Sequence, residues 1–232
     1  MMSEEREDTS PGSQELSKFR ANEIENQEEQ RLRDNLKTQE GAFEDAVLRL
    51  SRFYSRTDRP MLALKYIERL NACTTEPEKK AFCYLSMGQL LEQNRDFEAA
   101  ISAYSQAYLL EPVNSTSWYF IHNNLGCCLN HCERYEEAER YCREAIRIDP
   151  TRYNAYINIG VALEGQERYA EAVRAFIRAL KTNSSDTDVL QHLEDLVADH
   201  DEIASEITDI SEQMEDCREA ARRRNRKTGE TR

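Results

Sequence analysis

Three glycines limit what this 232-residue chain can fold into. Gly88, Gly126 and Gly160 occupy the same place in three related stretches: LSMGQLLEQNRDFEAAISAYSQAYLLEP (85–112), NNLGCCLNHCERYEEAERYCREAIRIDP (123–150) and INIGVALEGQERYAEAVRAFIRALKTNS (157–184). The second and third glycines are 34 residues apart and the first two 38. An aromatic follows each glycine (Phe97, Tyr135, Tyr169), then one alanine (Ala100, Ala138, Ala172) and a second (Ala107, Ala145, Ala179). Between the alanines stands Tyr104, Cys142 or Phe176, and Pro112 and Pro150 close the first two copies. Glycine within a helix costs ~1 kcal/mol relative to alanine. Its recurrence at one register therefore implies two helices crossing too closely for a side chain.

Each copy thus reads as a helical hairpin. In the third, Tyr156, Ile159, Gly160 and Leu163 fall on one face of a helix, and Tyr169, Ala172, Val173, Phe176, Ala179 and Leu180 form the matching stripe of the next. A lone hairpin cannot bury both stripes, so neighbouring copies must stack and share a core. The pattern resembles the tetratricopeptide repeat, with its small residue in the first helix, alanine and an aromatic in the second, and proline at the exit. That resemblance implies an all-α, right-handed solenoid of helical hairpins with a C-terminal capping helix and a long terminal helix.

The remaining chain is read around this array. Residues 1–40 are acidic and poor in hydrophobes: 1–14 read as disordered and about 15–38 as a weak polar helix. The solenoid is expected over 41–183, with a degenerate repeat at 42–72 in which Ser51 and Ala63 stand for the glycine and first alanine. Clear repeats follow at 81–112, 119–150 and 153–184. Thr75-Glu76-Pro77-Glu78 has the form of a capping box. The four extra residues around Val113–Ser117 are expected to lengthen a loop. Capping and terminal helices are placed at 185–221, and 222–232 is read as a basic disordered tail. Ile203, Ile207, Ile210, Met214 and Cys217 form a short heptad seam with two readings, a helix folded back on the last repeat or a homodimer through residues 203–221.

Composition narrows the function. The net charge of −13 speaks against nucleic acid or an anionic membrane as the general partner. No apolar run approaches the ~20 residues needed to cross a bilayer, and the acidic start lacks a secretory signal, so a cytoplasmic protein is expected. Seven cysteines, mostly on helices, fit a reducing compartment. His122, Cys127, Cys128, His131, Cys132 and Cys142 have two readings, small core residues or a metal or thiol site. The expectation is the first, with no cofactor, no metal and no catalysis.

In the resembling family the first helix of each hairpin lines a concave groove. Carried over residue by residue, that wall is Phe82, Leu85 and Gln89, then Phe120, Asn123, Asn124, Cys127 and His131, then Asn154, Ile157, Asn158 and Val161, with Ser86, Asn130 and Glu164 beside them. Asn124 and Asn158 carry both a donor and an acceptor and suit the main chain of an extended peptide; alternatively they bond neighbouring helices. The set contains no lysine or arginine, unlike arrays that grip the carboxylate ends of heat-shock chaperones. The expectation is a non-enzymatic scaffold or adaptor that binds a peptide or partner helix. The alternative is a dimeric assembly or secretion chaperone shielding a hydrophobic client.

Overall fold

The computed structural model describes residues 26–34, 43–183, 186–200, 203, 206–207 and 209–228, with the side chains of Phe43 and of 224–228 left aside. The expected disorder of 1–14, the start and end of the weak polar helix and the last four residues of the tail lie outside these residues. The chain divides after Ala72 into two compact units.

The first unit has a helix α1 over residues 26–34, within the stretch expected to be weakly helical, followed by α2 (Phe43–Arg56) and α3 (Pro60–Cys73). The residues Val47, Leu50 and Tyr54 of α2, at helical spacing, are buried, as are Ala63, Leu64, Ile67 and Leu70 of α3, while Met61 is exposed. The Tyr54 and Tyr66 rings stack at 5.6 Å. A polar knot holds α1 in place: Glu29 accepts from the Tyr54 hydroxyl at 2.9 Å and from Arg59 at 2.6 Å. Burial alone would raise the Glu29 pKa, but these donors outweigh it and hold the carboxyl below its usual range.

The second unit is a run of hairpins: α4 (Pro77–Gln93) with α5 (Phe97–Leu109), α6 (Ser115–His131) with α7 (Tyr135–Ile148), and α8 (Tyr153–Gly165) with α9 (Tyr169–Thr182). The three glycines lie at the crossings. A Cβ on Gly88 would strike the Tyr104 ring, one on Gly126 the Cys142 sulfur, and one on Gly160 would sit 2.6 Å from Phe176 Cε1. Each of these partners is at most 1% exposed, so it has nowhere to retreat. Tyr104, Cys142 and Phe176 are therefore the groups for which the glycines make room.

The turn inside each hairpin repeats as well. Arg95, Glu133 and Glu167 take φ of 61°, 58° and 60°, and the next residue donates back to Leu91, Leu129 or Leu163 at 2.9 Å. This is a Schellman closure, made here without the glycine that normally marks it.

Two expectations about helix starts are corrected. The capping box does not form: Glu76 is the N-cap without a side-chain bond, Pro77 fills the first turn, and Glu78 accepts instead from Val113 N at 3.0 Å. The four extra residues do not make a long loop. They wind as an added turn at the start of α6, where the Asn114 side chain accepts from Thr116 N and Ser117 N.

Beyond the repeats come α10 (Thr187–Asp199), capped by Asp186, and α11 (Ile210–Thr228). The heptad seam is interrupted before Ile210, and its residues Ile203, Ile207, Ile210, Met214, Cys217 and Ala221 are all buried. The first five share a core with Ile177 and Leu180 of α9 and Leu193 and Leu196 of α10. That burial matches the folded-back reading and covers, with the chain's own helices, the apolar side chains that a homodimer through residues 203–221 would use. Helix α11 also runs on to Thr228, through most of the segment read as a disordered tail.

Candidate functional site

The first helices are in direct contact with one another, α4 with α6 and α6 with α8, more closely than the second helices are. They form one wall of the array, the one expected to bind. Along it runs a chain of side-chain hydrogen bonds with a single direction. Asn158 Nδ2 donates to Asn123 Oδ1 at 3.1 Å, Asn123 Nδ2 to Asn124 Oδ1 at 3.0 Å, and Asn124 Nδ2 to the Tyr104 hydroxyl at 3.2 Å. The hydroxyl donates in turn to Glu92 Oε2 at 2.8 Å. The relay links three hairpins and ends on a carboxylate, each donation polarising the next. Burial, with the adjacent Glu92, drives the Tyr104 pKa far up, so the hydroxyl keeps its proton and remains a donor.

This geometry sorts the expected wall residues. Phe82, Gln89, His131, Asn154 and Val161 are exposed; Phe82 is 43% and Val161 36% accessible. His131 stacks on Phe97 at 4.1 Å. Phe120, Asn124, Cys127, Ile157 and Asn158 are half-buried. Leu85 and Asn123 are corrected from wall to interior: Leu85 packs in the cluster around Tyr104, and Asn123 is buried between the relay and the Tyr119 hydroxyl. Asn124 and Asn158 bond neighbouring helices through their Nδ2 groups, the alternative role open to them from the sequence. Asn158 holds Asn123 O as well, and Asn130 Nδ2 donates to Asn158 O at 2.8 Å.

The Cys/His cluster disperses. Cys128 and Cys142 are buried, and among the described residues no group of three His, Cys, Asp or Glu side chains comes together to hold a metal. Burial and Glu92 push the Cys127 thiol up to about 12, and Cys128 and Cys142 are raised as well, which leaves all three protonated and poor nucleophiles. The Cys127 thiol points to Glu92 Oε1 at 3.7 Å.

A second concavity went unread in the sequence. A cleft of about 410 Å³ is lined by Tyr108, Val113, Trp118 and His122 with the Glu144 and Arg147 pair, and it shares no residue with the wall. The added turn of α6 builds it by setting Trp118 5.3 Å from Tyr108 and 5.2 Å from His122, edge to face and tilted. Burial lowers the His122 pKa, while Trp118 O lies 2.8 Å from its Nδ1. The signal in the sequence was the insertion itself, next to the chain's one tryptophan.

Comparison with known proteins agrees with this architecture. Family models described as tetratricopeptide repeat match residues 83–114, 119–152 and 154–183. A peroxisomal targeting signal receptor of Eremothecium gossypii is 30% identical over 126 residues, which cover 54% of this chain and 21% of that protein. Small glutamine-rich tetratricopeptide repeat-containing protein 2 of Saccharomyces cerevisiae is 28% identical over 45% of this chain and 29% of its own length. The chain therefore spans less than a third of these relatives. Among solved structures, MamA of Desulfovibrio magneticus superposes with a TM-score of 0.61 at 20% identity, covering 77% of this chain and 94% of that one. At that identity the likeness speaks for the fold alone. No helix among the described residues is long and apolar enough to cross a membrane.

Proposed function

Because the chain belongs to the tetratricopeptide repeat family through residues 83 to 183, we propose that it is a non-enzymatic scaffold whose wall of α4, α6 and α8 holds an extended peptide or a partner helix. The observation that carries the reading is the pairing of exposed apolar groups, Phe82 and Val161, with a wall whose polar groups are already fixed by the relay. Preorganised polar groups lose little entropy when a ligand arrives, and exposed apolar side chains supply anchors. The amides act mainly to set this surface. Only part of their hydrogen-bonding capacity is left for a ligand backbone, so side-chain anchoring dominates. One relative is named as a receptor for a peroxisomal targeting signal, which is in keeping with a binding role.

The test is to pan the full chain against phage-displayed random peptides and measure the affinity of the enriched sequences. Peptides with apolar anchors are expected, and Phe82→Ala with Val161→Ala should weaken them by about tenfold or more while the melting temperature holds. Failure to enrich any peptide, or binding indifferent to both substitutions, would refute the proposal.

A further inference from the structure

Glu92 is the residue on which the wall converges. It stands in the last turn of α4, half-buried, and its two carboxylate oxygens are oriented by neutral donors, the Tyr104 hydroxyl at 2.8 Å and the Cys127 thiol at 3.7 Å. No cationic side chain among the described residues pairs with it. Other charged groups near the wall have partners within the chain: Glu164 lies 2.7 Å from His192 Nε2, and Arg152, stacked over Tyr119 and Phe120, is held by Asp149 at 2.8 Å.

A carboxylate at this end of a helix has no ready explanation in stability. The carbonyl end carries partial negative charge and favours lysine or arginine, yet the last turn of α4 contains no basic residue. Glu92 is therefore placed against the helix dipole, and the relay from Asn158 through Asn123, Asn124 and Tyr104 fixes its orientation instead of neutralising it. A donor bearing positive charge satisfies both demands. It would take the remaining lone pairs in a charge-assisted bond and relieve the repulsion from the α4 carbonyls.

Resting on the scaffold reading above, we propose that the wall takes a basic peptide, one that seats a lysine or arginine on Glu92 while an apolar residue several positions away in the peptide packs on Phe82, about 15 Å along α4. This polarity is opposite to a groove built to grip a carboxylate. The overall charge of −13 attracts such a ligand from a distance, and no lysine or arginine stands among the first-helix positions named for the wall: Lys79 and Lys80 lie in the first turn of α4, at the far end of the helix from Glu92, and Arg152, just before α8, is paired.

The same panned library tests this separately from the scaffold itself. Enriched peptides should share a lysine or arginine, and replacing it with glutamine or citrulline in synthetic copies should weaken binding by about tenfold or more. Glu92→Gln, which keeps the acceptor for Tyr104 but removes the charge, should cause a similar loss and flatten the dependence on salt. If Glu92→Gln fails to fold, the peptide substitutions decide, since they leave the protein untouched. Enriched peptides that bind through Phe82 and Val161 but lack a common basic residue would overturn the basic-peptide proposal alone. No enrichment at all would instead sink the scaffold reading on which it rests.

Discussion

The first-helix wall reads in the sequence as a surface for a partner and the heptad seam as either a folded-back helix or a second such surface, and the fold treats them in opposite ways. Ile203, Ile207, Ile210, Met214 and Cys217 are at most 7% exposed, packed on α9 and α10, while Phe82 and Val161 keep 43% and 36% of their surface. The seam closes the end of the solenoid. A stack of hairpins always has a last apolar face that no further repeat covers, and α10 and α11 cover it here. The wall has no such debt, since its first helices already bury their contact stripes against each other and leave the remaining side chains outward. An apolar stripe at the end of an array thus serves stability, whereas isolated apolar residues along its side are available for recognition.

The largest effect that bears on this contrast belongs to the seam. Ile203→Ala removes a fully buried side chain and should cost about 2–4 kcal/mol in chemical denaturation, with no change of mass in sedimentation. A fall in mass with stability intact would mean that the seam joins two chains after all. Next comes the crossing beneath the wall. Gly160→Ala forces a carbon against Phe176, and after the gain in helix propensity the net loss should be about 1–2 kcal/mol in the same measurement.

Within the wall, Asn158→Ala takes away the donor shared by Asn123 O and Asn123 Oδ1 and should cost about 1 kcal/mol. A neutral result would show that the relay does not brace the surface. A smaller, pH-dependent effect lies away from the wall, where Gln166, Arg143 and Arg168 converge on Glu139. Burial would raise this carboxyl, but the three donors win and hold it below the usual carboxylate range. Its contribution is present in full at neutral pH and fades as pH falls from the ordinary glutamate value through the lowered one. Glu139→Gln should flatten that part of the stability profile. The smallest effect is Phe82→Ala, expected to shift stability by no more than about 0.5 kcal/mol. A larger loss would place Phe82 in the core and undo the contrast.

Much of this was legible from residues alone. The period, the glycines and the aromatics that face them are local and repetitive, so helix positions and the all-α architecture follow from pattern, and Tyr104, Cys142 and Phe176 fall under the glycines as the register requires. The wall was legible only as a set of positions. Leu85 shares the helical stripe of Phe82, and Asn123 that of Phe120 and Cys127, and nothing in their spacing tells which of them a neighbouring hairpin will cover.

What the chain by itself determined is therefore its repeat, the pairing of its helices and the lack of lysine or arginine at the positions named for the wall, because each follows from residue type at a fixed interval. Tertiary structure alone decided that the seam turns inward, that the insertion becomes a turn of α6 beside an aromatic cleft, and that four side chains on three hairpins align into a relay ending at Glu92. These depend on distances between residues far apart in the chain, which are set only when the hairpins stack.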